Sequence, residues 1–219
     1  MHTHTHRTTR RAAALVLALT TGLTLAACGS DDSDADASPS ATHTDADGQV
    51  HNDADVAFAT EMIPHHAQAV QMVAMTRGRP LDPAVRRLAE DIRAAQTPEI
   101  ETMVDWLTAW GEDVPATSMD HAHAGHGSDG MDGMDMSGTD GMDDMPGMMS
   151  TEEMQDLSDA SDDAFQDMWL RMMIEHHEGA IEMAGTESED GVYDDALALA
   201  DSIATSQQRE IDTMQGLLD

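Results

Sequence analysis

Met62-Ile63-Pro64-His65-His66-Ala67-Gln68-Ala69-Val70-Gln71-Met72 returns, at an offset of 111 residues, as Met173-Ile174-Glu175-His176-His177-Glu178-Gly179-Ala180-Ile181-Glu182-Met183. The same offset, without a gap, pairs Leu88 with Leu199, Ile92 with Ile203 and Gln96 with Gln207. It continues through Glu99 and Glu210, Ile100 and Ile211, Thr102 and Thr213, and Met103 and Met214. Register held over that distance marks two copies of one unit.

Each copy reads as two helices. Phe58, Met62, His65, His66, Ala69, Met72 and Val73 fall within a stripe of roughly 120° when each residue turns by about 100°. Asp82 and Pro83 then supply an N-cap and a first-turn proline, after the stop signal Gly78-Arg79-Pro80. Leu88, Ile92, Ile100, Met103, Leu107 and Trp110 give the second helix its apolar face. The second copy repeats this with Trp169, Met173, His176, His177, Ala180 and Met183. After a turn near Gly191 come Leu199, Ile203, Ile211, Met214 and Leu218. No comparable β-branched alternation is seen. Hairpins over 53–111 and 151–219, each with an uncovered apolar stripe, predict an all-α four-helix bundle. Pro64 conflicts locally with this pattern, since it removes a helical hydrogen bond; the helix is expected to restart or kink there.

Outside the repeats the composition changes. Arg7, Arg10 and Arg11 precede an apolar run, Ala12 to Ala27, too short for a comfortable membrane span. Residues 1–27 read as a secretory signal, in which His2, His4 and His6 carry no functional weight. The run ends in Leu25-Ala26-Ala27-Cys28, the pattern cleaved before a lipidated cysteine, and Cys28 is the single cysteine. Residues 28–52, rich in Asp, Ser, Ala and Thr, are expected to form a disordered acidic tether. The expected location is extracytoplasmic, anchored by lipid to the outer face of the cytoplasmic membrane. Residues 112–150 form a Met/His-rich insert with too much Gly and Asp to build a core of its own.

The chain carries 43 acidic residues against 10 basic ones, for a formal net charge of −33. Nucleic acid is excluded as a natural partner, because its phosphates would be repelled. Cations fit better, though acidity alone selects none. The methionine content does select: 19 Met stand against three Trp, two Phe and one Tyr. Thioethers are soft ligands as well as adaptable core fillers.

Three constellations follow. His65 and His66 with Met62 and Met72, and His176 and His177 with Met173 and Met183, give doubled faces of imidazole and thioether. Such a face suits Cu(I) or Ag(I); the alternative is a Met-filled core with satisfied histidines. Adjacent helical residues point about 100° apart, so one His of each pair is expected inside and the other at the stripe edge. Gln96, Glu99, Gln207 and Glu210 sit on otherwise apolar stripes. They would either orient the histidines or form a polar layer that fixes register. In the insert, His121, His123, His126, Met131, Met134, Met136, Met142, Met145, Met148 and Met149 are candidate ligands for loose ion capture.

Met62-Ile63-Pro64-His65-His66, Ile100-x-x-Met103-x-x-Trp106-Leu107 and His176-His177-x-Gly179-Ala180-Ile181-x-Met183-Ala184 resemble the bacterial domain-of-unknown-function family 305. The resemblance covers residues 51–219 apart from the insert. It implies a ferritin-like fold, and some extracytoplasmic members bind copper and silver. Carried onto this chain, it implies the four bundle histidines with Met62, Met72, Met173 and Met183 as ligands.

An enzyme is the main rival. Di-iron bundles use Glu-x-x-His, which neither copy contains, and Ile181 stands where a zinc-protease helix needs its second histidine. No catalytic residue is assigned. A lipoprotein that binds a protein partner through a non-metal surface is the third class. The expectation carried forward is a copper(I)-binding lipoprotein for buffering, trafficking or resistance, with a copper-handling protein as a further partner.

Overall fold

The computed structural model describes residues 41–45, 48–117 and 145–218. Four long helices form the bundle: α1 (Asp53–Met75), α2 (Pro83–Trp110), α4 (Asp162–Asp190) and α5 (Asp194–Leu218). A short helix, α3 (Thr151–Asp159), precedes α4. Two three-residue strands, β1 (Thr42–Thr44) and β2 (Val50–Asn52), pair antiparallel ahead of α1.

The helix ends follow from local chemistry. Asn52 caps α1 by accepting from the Ala54 and Asp55 amides at 3.0 Å, while Asp55 reaches back to the Asn52 amide at 2.7 Å. Asp82 caps α2 through the Ala84 amide at 2.7 Å, with Pro83 in the first turn. Gly78 and Gly111, both with φ of 79°, end α1's turn and α2 in the left-handed region that favours glycine. Pro64 lies inside an unbroken α1 rather than restarting it.

α1 packs against α2 and α4, and α5 against α4 and α2. The buried apolar residues form two clusters. One holds Met72, Val73, Val85, Leu88, Ile92, Phe165, Trp169, Met173, Ile211 and Met214. The other holds Phe58, Met62, Ile63, Met103, Leu107, Ala180, Met183, Ala196 and Ile203. α1 and α5 thus run from the second cluster to the first, and α2 and α4 run the opposite way. Every neighbouring pair is antiparallel, while α2 and α4 are parallel and diagonal. The end of α2 and the start of α4 therefore lie at opposite ends of the bundle.

Two sequence expectations need correction. The acidic tether was placed over 28–52, yet its last part pairs as β1 and β2, with His43 opposite His51 and Thr44 opposite Val50. The cause is tertiary: His51 stacks on Trp110 with ring centres 4.5 Å apart, and is buried there. Composition carries no trace of that contact. The low-complexity insert was placed over 112–150, yet its final residues pack on the bundle. Met149 is 3% exposed, and Ser150 caps α3.

One buried carboxyl pair ties the α1 entrance to the α4–α5 turn. Asp55 Oδ1 accepts from the Val192 and Tyr193 amides, both at 3.0 Å. Glu187 lies close enough to feel the Asp55 charge, is 1% exposed, and has neither carboxyl oxygen paired with a hydrogen-bond donor. Burial, then Asp55 and Asp190, push the Glu187 carboxyl up to about 9. Glu187 therefore keeps its proton at neutral pH and does not place a second negative charge beside Asp55.

An unfolded glutamate releases its proton near its ordinary value of 4.5, so folding takes up a proton between there and about 9. Stability from this group is complete at low pH and is lost as pH rises. Wild type should lose stability relative to Glu187→Gln between pH 5 and 9, by up to about 1.4 kcal/mol per pH unit. Urea unfolding of both proteins across that range checks it; a difference independent of pH would refute the protonated pair.

Candidate metal centre

The boundary between the two apolar clusters is polar on all four long helices. On α1 it is His65 and His66, and on α4 His176 and His177. On α2 it is Gln96 and Glu99, and on α5 Gln207 and Glu210. All four histidines are fully buried, and Gln96 and Gln207 are each 2% exposed. The expectation of one inner and one edge histidine per pair is therefore wrong. Helices pack on α1 and α4 from more than one side, so both directions 100° apart are covered.

The duplicated sequence produces duplicated geometry. His66 Nε2 lies 2.8 Å from Glu99 Oε2, and His177 Nε2 lies 2.8 Å from Glu210 Oε2. A carboxylate only accepts, so each imidazole presents Nε2–H to its glutamate and leaves Nδ1 as the lone-pair atom. His65 Nε2 lies 3.1 Å from the Pro146 carbonyl and is fixed in the same tautomer. His65 and His176 sit face to face at the centre, with ring centres 3.8 Å apart and planes tilted by 39°.

Burial drives His65 and His176 towards neutrality. His65 is lowered to about 3, first by desolvation and then by its neighbour His66. His176 is held well below its ordinary range, again first by desolvation and then by His65. A neutral imidazole is the form that binds a metal ion.

The Nδ1 atoms of His65, His66, His176 and His177 are buried without a hydrogen-bond partner. The same holds for His176 Nε2, both polar atoms of Gln96 and Gln207 Oε1. Each such atom costs about 1–3 kcal/mol of desolvation. Donor lone pairs concentrated in one layer fit a cation, since a metal ion is what unprotonated imidazole nitrogens accept best after a proton. Met62 and Met183 belong to the apolar cluster on one side of the layer, and Met72 and Met173 to the other. The four sulfurs thus flank the histidines in two pairs rather than along one groove.

Among the described residues, no three His, Cys, Asp or Glu side chains surround one point closely enough to hold a metal ion. Two imidazoles binding an ion in line, with bonds of about 2 Å, would stand roughly 6 Å apart between ring centres. His65 and His176 are closer than that and must turn apart to admit an ion.

A short segment lies over the centre. Pro146 sets its carbonyl on His65, and the Met149 backbone is gripped by Gln68 in both directions. Gln68 Nε2 donates to Met149 O at 2.7 Å, and Met149 N–H donates to Gln68 Oε1 at 2.8 Å. Sequence reasoning missed Pro146 and Gln68, and only the break in Gly-Met-Asp repetition at Pro146-Gly147 hinted at a turn. Of the insert candidates, Met145 and Met148 are partly buried. Met149 fills the apolar cluster around Met72 and is a core residue, because Gln68 pins its backbone. His121, His123, His126, Met131, Met134, Met136 and Met142, like Cys28, lie outside the described residues.

Fold and site define a helical bundle with a duplicated, buried histidine layer. The family model for DUF305, a domain of unknown function, matches residues 55–218, and the chain belongs to that family. It is similar to a DUF305 protein of Streptomyces coelicolor taken to be secreted, at 32% identity and TM-score 0.60, over 75% of this chain and 91% of that one. A DUF305 fragment from Deinococcus radiodurans is 30% identical, with TM-score 0.60, over 76% and 96%. CopM in its Cu(II)-bound form is 28% identical, with TM-score 0.57, over 75% and 95%. CopM has also been crystallised in Cu(I)-bound and Ag-bound forms. No curated protein matches the chain.

If the layer is maintained for binding rather than stability, removing an unpaired member should strengthen the ion-free fold. Gln96→Leu should raise the unfolding free energy by about 1–2 kcal/mol, because two orphaned polar atoms are replaced by apolar ones. Urea denaturation with chelator present measures this. A destabilised variant would mean that Gln96 is already satisfied inside the layer.

Proposed function

We propose that this chain is an extracytoplasmic lipoprotein that binds soft monovalent metal ions, Cu(I) foremost and Ag(I) with it, in the buried His/Met layer. Its role on this reading is copper buffering, trafficking or resistance, with delivery to or from a copper-handling protein. Anchoring is through lipid on Cys28, and the insert from His121 to Met148 gathers ions ahead of the bundle. The ion is cargo and takes part in no catalysis.

One observation carries the reading: the Nδ1 atoms of His65, His66, His176 and His177 lie buried and unpartnered, while Pro146, Glu99 and Glu210 hold the opposite nitrogens of His65, His66 and His177 and leave both nitrogens of His176 free. Glu99 and Glu210 act as orienting acceptors that raise ligand basicity, with Gln96 and Gln207 adjacent. The donor set favours a soft ion of low coordination number. Imidazole and thioether carry no charge, and a hard divalent cation would find no carboxylate-rich shell to replace its water. CopM, which shares the fold, is known in Cu(II)-, Cu(I)- and Ag-bound forms and lends support to copper and silver as the ions.

Anaerobic Cu(I) titration against a chromophoric chelator tests this on four proteins. They are the intact chain, a deletion of residues 118–144, Glu99→Gln with Glu210→Gln, and a variant with all four histidines changed to alanine. The glutamine variant should bind about 10–100-fold more weakly, because its amides orient the imidazoles less well. The deletion should lower the number of ions bound while leaving the tight site intact. The four-histidine variant should lose that site. Equal binding by all four proteins would sink the assignment.

A further inference from the structure

The backbone at Met145–Ser150 comes unusually close to α4. At Gly147, with φ of 69°, a Cβ would stand 2.6 Å from the Glu175 carbonyl oxygen and 2.9 Å from the Gly179 Cα. A Cβ at Gly179 would run into the Pro146 carbonyl group. Two glycines face one another, and neither position accepts a side chain without moving the segment. The contact lies one turn beyond His176 on α4, and the same Pro146 carbonyl rests on His65 from α1.

The repeat makes this pointed. At the constant offset, Gly179 is the counterpart of Gln68. One copy supplies a side chain that grips Met149 through two hydrogen bonds. The other supplies the missing side chain that lets Pro146 in. The two equivalent positions have diverged to serve opposite ends of one short segment. Beside it opens a cavity of about 150 Å³, lined by Pro146, Met183, Glu61, Glu182 and Glu187 among others. A cation collected by the exposed Glu61 and Glu182 carboxylates would stand next to Pro146, with a thioether alongside.

We propose that Pro146–Met149 is a strap that controls access to the histidine layer, and that Gly179 and Gln68 are the positioning residues that set how firmly it is seated. The strap occupies His65 Nε2 and covers that side of the layer. An ion arriving at the Glu61–Glu182 side enters when the strap lifts, which also releases His65 to turn away from His176. The inference rests on the layer being the binding site, and it assigns the residues that regulate that site.

Gly179→Ala tests it with a single methyl group. Gly185→Ala is the control, since Gly185 lies on the same helix with nothing within 4 Å of an added Cβ. Both changes favour helix, but only the first collides with the strap. Gln68→Ala removes the grip at the other end by a different route. Two quantities are read on the full chain: amide hydrogen exchange at Met149 without metal, and the stopped-flow rate of Ag(I) uptake.

Gly179→Ala and Gln68→Ala should each speed Met149 exchange and Ag(I) uptake by at least tenfold, with Gly185→Ala behaving as wild type. Uptake and exchange in Gly179→Ala that match Gly185→Ala would overturn the strap. So would faster exchange without faster uptake, which would leave the segment a structural turn. A wild-type chain that took up no Ag(I) or Cu(I) would instead overturn the binding assignment, while the exchange measurement still judged the seating by Gly179 and Gln68.

Discussion

Eight polar side chains cross the middle of an otherwise apolar bundle, and the geometry of the chain is arranged around keeping them there. His66 and His177 each press Nε2 against a glutamate 2.8 Å away on the neighbouring helix of their own hairpin. A buried hydrogen bond to a charged acceptor contributes about 1.5–3 kcal/mol, but it also leaves Nδ1 without a partner at a cost of similar size. The net gain in stability is small. What the clamps do well is fix register, because sliding either hairpin by one turn would bury a carboxylate in a Met- and Leu-lined cluster. The layer therefore behaves as a positional key for the fold and as a set of oriented donors at the same time.

Topology converts that key into a single centre. All neighbouring long helices are antiparallel, so residues midway along each one meet midway along the bundle. His65 and His176 meet there because the two copies place them at equivalent depths, and their rings touch at 3.8 Å. A duplicated hairpin thus yields one shared centre rather than two separate sites. The described residues just ahead of α3 lie across this centre. Symmetry between the copies holds for the histidines and glutamates, and fails at Gln68 and Gly179, where one segment touches both halves.

Much of this was legible in the sequence, for a physical reason. Apolar periodicity and the constant offset are properties of the chain alone, so the four helices and the cap at Asp82 could be read directly, while Glu99 and Glu210 stood open between orienting the histidines and fixing register. What failed depends on contacts between distant segments. The strand pair at 42–52 exists because His51 finds Trp110, and Met149 is core because Gln68 finds its backbone. Low-complexity composition describes the average behaviour of a segment, and six residues at its end escape the average once two hydrogen bonds and a glycine contact hold them. The separation of Met62 from Met72 into different clusters is of the same kind. Both lie on one helical stripe, but the polar layer between them divides the core they enter.

Selection among cations on this reading comes from the contrast between surface and interior. The exterior is densely acidic and attracts any cation, with an attraction that salt screens and that distinguishes little between ions. The interior offers buried imidazole and thioether behind the Pro146–Met149 segment. A strongly hydrated divalent ion gathered outside gives up most of its water only for charged oxygen ligands, which the layer does not present in sufficient number. A soft monovalent ion surrenders water readily and gains nitrogen and sulfur donors whose lone pairs are otherwise unpaired. Neutrality matters here as much as softness: His65 and His176 are held far below their ordinary pKa by burial, so no proton competes for the donor atoms at neutral pH. The same desolvation that makes the ion-free layer costly is thus what leaves its lone pairs ready for an ion.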